Sequence, residues 1–183
     1  MEHKERRAIT AEEHQRIIER KHNPEIRAYY QLLWHLGGSK ADIADLTAQD
    51  IDWKHRTVSC QRRKTGVPVI ITFSAEAASV LESLPKFGPL FPSMGRIKKN
   101  HRAKMFIKRL KKVGITGISL HSYRYAWAER AKTVGMPERF AQQALGHSSK
   151  AFVRAYSKKA SVIVPSLEDY ERKILPMPVA VNQ

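Results

Sequence analysis

One short stretch, residues 50–73, breaks an otherwise helical pattern and limits the folds open to this chain. Thr57-Val58-Ser59-Cys60 and Val67-Pro68-Val69-Ile70-Ile71-Thr72-Phe73 are rich in β-branched residues, and the basic segment Gln61 to Gly66 joins them. The pattern predicts two strands with Lys64-Thr65-Gly66 at or just inside a hairpin tip, introduced by a β segment at Asp50-Ile51-Asp52-Trp53. Elsewhere apolar residues recur at helical spacing. The expected class is therefore mainly α with a small antiparallel β-sheet, an α+β domain.

Local signals place the helices. Thr10-Ala11-Glu12-Glu13 has capping-box form, and Pro24 suits the first turn of a helix carrying Ile26, Tyr29, Tyr30, Leu33, Trp34 and Leu36 toward a core. Gly37-Gly38 ends that helix, and a short one is expected over residues 41–46. Ser74 caps the next, which Pro85 and Gly88-Pro89 close. A helix starting at Ser119 or His121 runs through Tyr125, Trp127, Ala128 and Ala131. Gly135-Met136-Pro137 then turns into another over 138–145. Gly146-His147-Ser148-Ser149 reads as a turn, a further helix carries Tyr156, and Ser166 caps a last helix over 167–174. A chain of 183 residues can build one good core, so a single domain is expected, its core about 8–160 and its carboxyl-terminal helix and tail over 161–183.

Charge narrows the function classes. Lys plus Arg number 33 against 17 Asp plus Glu, a formal net charge of +16, which points to a polyanionic partner and most commonly nucleic acid. The cations concentrate between Arg96 and Lys112, where Met105, Phe106, Ile107, Leu110 and Val113 still allow one buried face. Lys98, Lys99, Arg102, Lys104, Lys108, Arg109 and Lys111 are the candidate contacts to a DNA backbone; an ordinary solvated helix face is the plainer alternative. The single cysteine, Cys60, excludes an internal disulfide framework, and no Cys/His cluster has zinc-site spacing. No apolar run follows the charged residues Met1 to Arg7, so neither a signal peptide nor a membrane partner is expected. The expected location is the cytoplasm of a prokaryote, in association with DNA.

Four further motifs stand in order: Lys64-Thr65-Gly66, His121-Ser122-Tyr123-Arg124, Leu145-Gly146-His147, and Tyr156. Each is common when taken singly. In this order and spacing they resemble the catalytic domain of the tyrosine recombinases, also called the phage integrase family. Arg6-Arg7-Ala8-Ile9-Thr10 looks like that domain's lead-in, and Asp50-Ile51-Asp52 matches the acidic stretch before its first strand. The resemblance covers nearly the whole chain and lacks the amino-terminal core-binding domain of most relatives, as in a minimal member or a catalytic part.

The resemblance implies a DNA breaking-rejoining fold and a site-specific recombinase or integrase that acts through a 3′-phosphotyrosine intermediate, without metal or other cofactor. Carried over by position, Tyr156 is the nucleophile and Lys64 the acid for the departing 5′ oxygen. Arg124 grips a non-bridging oxygen, His121 assists proton transfer and His147 donates to the phosphate. The implied partner is double-stranded DNA, with a homo-tetramer assembled on it and a monomer allowed in solution.

This sequence departs from the family at Leu36-Gly37-Gly38-Ser39-Lys40-Ala41-Asp42, where Ser39 stands at the first arginine and Asp42 at the acidic position. A serine offers one neutral hydrogen bond where guanidinium offers a charged planar fork. Lys40, Arg62 and Arg63 are the candidate substitutes. A weak or inactive DNA-binding member of the fold and a plasmid-mobilisation relaxase using the same chemistry stay open as alternatives. The apolar residues after Tyr156 either dock on a neighbouring subunit or fold back on their own domain.

Overall fold

The computed structural model describes residues 7–20, 23–61, 68–146 and 163–174. In chain order its elements are α1 (Ala11–Glu19), α2 (Pro24–Leu36), α3 (Lys40–Ala44), a 3-10 turn (Ala48–Asp50), β1 (Ile51–Asp52), β2 (Thr57–Gln61) and β3 (Pro68–Thr72). There follow α4 (Ala75–Glu82), α5 (Pro92–Arg96), α6 (Lys99–Lys112), α7 (Ser122–Thr133), α8 (Glu138–Leu145), β4 (Ile163–Val164) and α9 (Leu167–Ile174). The mainly helical class with a small sheet is the one expected. The helix expected to carry Tyr156 lies outside the described residues.

Capping chemistry accounts for several helix starts. The Thr10 hydroxyl accepts from the Glu13 amide at 3.1 Å while Glu13 accepts from the Thr10 amide at 3.0 Å, the reciprocal box read from the sequence. Ser74 and Ser166 accept from amides three residues on, at 3.1 and 3.2 Å. α7 begins at Ser122, later than either expected start, because Ser119 and Ser122 form a single turn of their own: the Ser122 amide donates to the Ser119 carbonyl and the Ser119 amide to Ser122 Oγ, each at 2.9 Å.

The sheet has the order β1-β2-β3-β4. The first three strands are antiparallel as expected, with Val58 opposite Ile71 and Cys60 opposite Val69. These four side chains are buried on one face, as the two-residue period requires. β4 then joins parallel to β3, pairing Ile70 with Ile163 and Ile71 with Val164, so the sheet is mixed. That pairing returns the chain to its own domain. α9 follows and rests on α2 and α7. Glu168 lies 2.5 Å from His35 Nδ1, Arg130 donates to Glu171 at 2.5 Å, and Arg172 reaches Glu76 at 2.7 Å. Residues 163–174 thus make contacts with the sheet, α2, α4 and α7 of their own chain.

α2 is the hub of the core, touching α1, α3, α4, α5, α7 and α9. Its Tyr29 and Tyr30 are buried and join Phe91, Phe106 and Tyr123 in edge, tilted and stacked ring contacts, with centroids between 5.2 and 6.3 Å apart. α6 meets this core chiefly through Phe106 and Leu110. Its carboxyl end is held by α1, whose Arg16 donates to the Val113 carbonyl and Arg20 to the Lys112 carbonyl. Cationic groups there complement the negative end of the helix dipole. Among the described residues no helix is long and apolar enough to cross a membrane.

His14 belongs to the same core, although its sequence neighbours are polar. Its ring stacks on Trp34 at 4.5 Å and its Nδ1 lies 3.1 Å from the Tyr123 hydroxyl. Burial, with His35 and Arg130 nearby, pushes its pKa down to about 3. Protons therefore bind the unfolded chain better between that value and the ordinary histidine range. Stability should fall as pH drops from about 6.5 toward 3, by up to about 1.4 kcal/mol per pH unit from this group. Urea melts of the natural chain and His14→Gln at pH 7 and pH 5 check this: the variant is expected to lose less stability on acidification, and equal losses would remove His14 as the cause.

Candidate phosphate-binding site

The turn from α2 into α3 is built by two glycines for different reasons. Gly37 has φ +64°, and a Cβ on it would lie 2.7 Å from Trp127 Cδ2, so the α7 indole packs directly on the backbone. A Cβ on Gly38 would meet Ile43 Cδ1 at 2.7 Å. Trp127 Nε1 also donates to the His35 carbonyl at 3.3 Å. The turn is thus pressed against α7, one helical turn beyond Arg124.

Ser39, half-buried, caps α3: its Oγ accepts from the Asp42 amide at 3.1 Å. Lys40 is the first helical residue. Its carbonyl accepts from the Tyr29 hydroxyl at 2.6 Å and from Arg102 Nη1 at 3.3 Å, which fixes the backbone from which its ammonium extends. Burial drives the Tyr29 phenol well above its ordinary pKa and keeps it a neutral donor.

Arg124 is half-buried on α7, and its Nη2 donates to the Leu145 carbonyl at the end of α8. Gly146, with φ +65°, caps that helix, and His147 is the next residue. His121 is exposed as the amino-terminal cap of α7, its ring edge-on to Tyr125 with centroids 5.0 Å apart. The structure therefore joins the end of α8 to α7 through Arg124, and the glycine turn that leads into Ser39 and Lys40 to α7 through Trp127. Lys64, Arg62, Arg63, His147 and Tyr156 lie outside the described residues.

α6 sorts its cations by face. Lys98, Lys99, Lys104, Lys108 and Lys111 are exposed, Arg109 is half-buried with its guanidinium 5.6 Å from the Tyr30 ring centre, and Arg102 is buried. Arg102, Phe106 and Leu110 share one face at four-residue intervals, a signal already present in the sequence. The Trp127–Gly37 and Tyr29–Lys40 contacts carried no such signal, because both partners read simply as core or turn. Among the described residues no group of His, Cys, Asp and Glu could hold a metal ion.

A family model described as the phage integrase family matches residues 7–161. The chain belongs to the phage integrase family. Solved structures share its fold. The integrase from mycobacterium phage Brujita is 16% identical, with a TM-score of 0.68 over 80% of this chain and 52% of that one. The lambda integrase catalytic core is 19% identical, with a TM-score of 0.65 over 78% of this chain and 96% of its own. A lambda integrase dimer bound to a COC′ core site is 18% identical, with a TM-score of 0.64 over 97% of this chain and 51% of that one. The chain thus spans about half the length of two of these integrases and nearly all of the isolated core. No curated protein sequence matches it.

Gly37 tests how firmly this family member's site is built. Gly37→Ala should cost about 2–4 kcal/mol, from the left-handed backbone and the overlap with Trp127 together. Chemical denaturation of the variant beside Gly88→Ala checks it. Gly88 also has positive φ, +68°, but has open space around it, so a comparable loss at both sites would show that the indole contact contributes nothing.

Proposed function

We propose that this chain is a site-specific DNA recombinase of the integrase type, cutting and rejoining duplex DNA through a covalent bond between Tyr156 and a 3′ phosphate. The observation that carries the reading is Arg124, tied to the last carbonyl of α8 two residues before His147 and one helical turn from the Trp127 indole that packs on Gly37, ahead of Ser39 and Lys40. That arrangement suits a phosphate seat assembled from separate parts of the chain. The exposed lysines of α6 suit contact with a DNA backbone.

In the proposed step the Tyr156 oxygen bonds to phosphorus as the bond from phosphorus to the 5′ oxygen breaks. The phenolic proton leaves with help from His121, and the 5′ oxygen takes a proton from Lys64. Arg124 and His147 donate to the non-bridging oxygens. One phosphate diester is exchanged for another, so no energy-rich cofactor is required and the reverse attack by a 5′ hydroxyl reseals the strand. A phenol of ordinary pKa about 10 needs the surrounding positive charge to react at neutral pH. A homo-tetramer assembled on DNA belongs to the same proposal.

Ser39 supports a second reading, a DNA-binding member with little or no cleavage, because its hydroxyl is already engaged as the α3 cap. A denaturing gel of the chain incubated with duplexes drawn from the flanks of its own gene separates the two. The expected result is a covalent adduct that is absent in Tyr156→Phe and forms about 10²- to 10³-fold more slowly in Arg124→Ala. Salt-sensitive binding without any adduct would favour the second reading.

A further inference from the structure

Arg102 stands apart from the other cations of its helix. It is 6% exposed and lies in the inner stripe with Phe106 and Leu110, although neighbouring Lys99 and Lys104 face solvent. Stripping water from a guanidinium is costly unless a carboxylate or several acceptors compensate. None of the ion pairs among the described residues involves Arg102. Its Nε is buried without a hydrogen-bond partner among them, Nη1 makes one long bond of 3.3 Å to the Lys40 carbonyl, and the other compensation is the neutral Tyr29 hydroxyl beside the guanidinium. The local structure compensates this charge thinly, which is expected of a cation kept for an anion from outside the chain.

Its position says which anion. Lys40 directly follows Ser39, the position at which the resemblance to the family expects an arginine. α6 meets that turn through Arg102 while α7 meets it through Trp127, one turn from Arg124. We propose that Arg102 supplies the positive charge that Ser39 lacks, delivered from α6 to the scissile phosphate at the Ser39–Lys40 turn. The proposal rests on the recombinase reading. As the tyrosyl oxygen adds and the 5′ oxygen departs, negative charge concentrates on the non-bridging oxygens. A buried cation acts on it over several ångströms because little water screens the field. Ser39 keeps its capping role, and α6 takes over the electrostatic one.

The test measures adduct formation by the full chain on two duplexes, one with an ordinary scissile phosphate and one with a methylphosphonate there, which carries no negative charge. Arg102→Met should slow the reaction on the phosphate about 10²-fold and on the methylphosphonate only a few-fold, with Arg102→Lys retaining most of the rate. Ser39→Arg placed in Arg102→Met should restore the phosphate rate. Equal losses on both duplexes, or no rescue by Ser39→Arg, would reduce Arg102 to a packing role and overturn the proposal. An adduct from Ser39→Arg but none from the natural chain would also overturn it while leaving the recombinase reading intact. No adduct from either chain on either duplex would remove both.

Discussion

The contact between the Trp127 indole and the bare backbone of Gly37 is the constraint on which the rest of the site depends. A residue with a Cβ could take neither the left-handed turn nor the close approach without strain. Because the indole sits there, the end of α2, the start of α3 and the amino-terminal half of α7 form one packed unit. Arg124 is one turn from that indole and reaches the last carbonyl of α8. Three separate stretches of sequence thereby meet through packing and hydrogen bonds.

The core beneath explains why that unit is rigid. α2 carries aromatic rings toward α5, α6 and α7, and the tyrosine hydroxyls are used rather than merely buried: Tyr29 holds the Lys40 carbonyl and Tyr123 lies against His14. Burial keeps both phenols neutral, so neither competes as an acid or nucleophile. The electrostatic design is asymmetric. α6 presents a row of lysines outward, where solvent and salt temper them, and one arginine inward, where little does.

Much of this was legible in the chain. Thr10 with Glu13, Ser74 and Ser166 announce their helices because capping is local chemistry, and the β-branched run around residue 60 announces a hairpin for the same reason. The order of the His/Arg, Gly-His and Tyr motifs pointed to the family that the match over residues 7–161 shows. What could not be read is non-local. β4 is only two residues long, too short for periodicity to declare, and it exists because β3 offers it a free edge in parallel register. His14 looks solvent-facing among its polar neighbours, yet it lies on the α1 face that meets Trp34. Arg102 shares the four-residue interval of Phe106 and Leu110, but its approach to the Lys40 carbonyl is a long-range contact that no local pattern announces.

The most direct measurement is a crystal structure of Tyr156→Phe bound to a duplex carrying an intact scissile phosphate. Our reading predicts a backbone phosphate lodged between Arg124 and the Ser39–Lys40 turn, with Trp127 still seated on Gly37 and the outward lysines of α6 along the flanking backbone. A duplex whose phosphates all lie away from Arg124 and from that turn would contradict it.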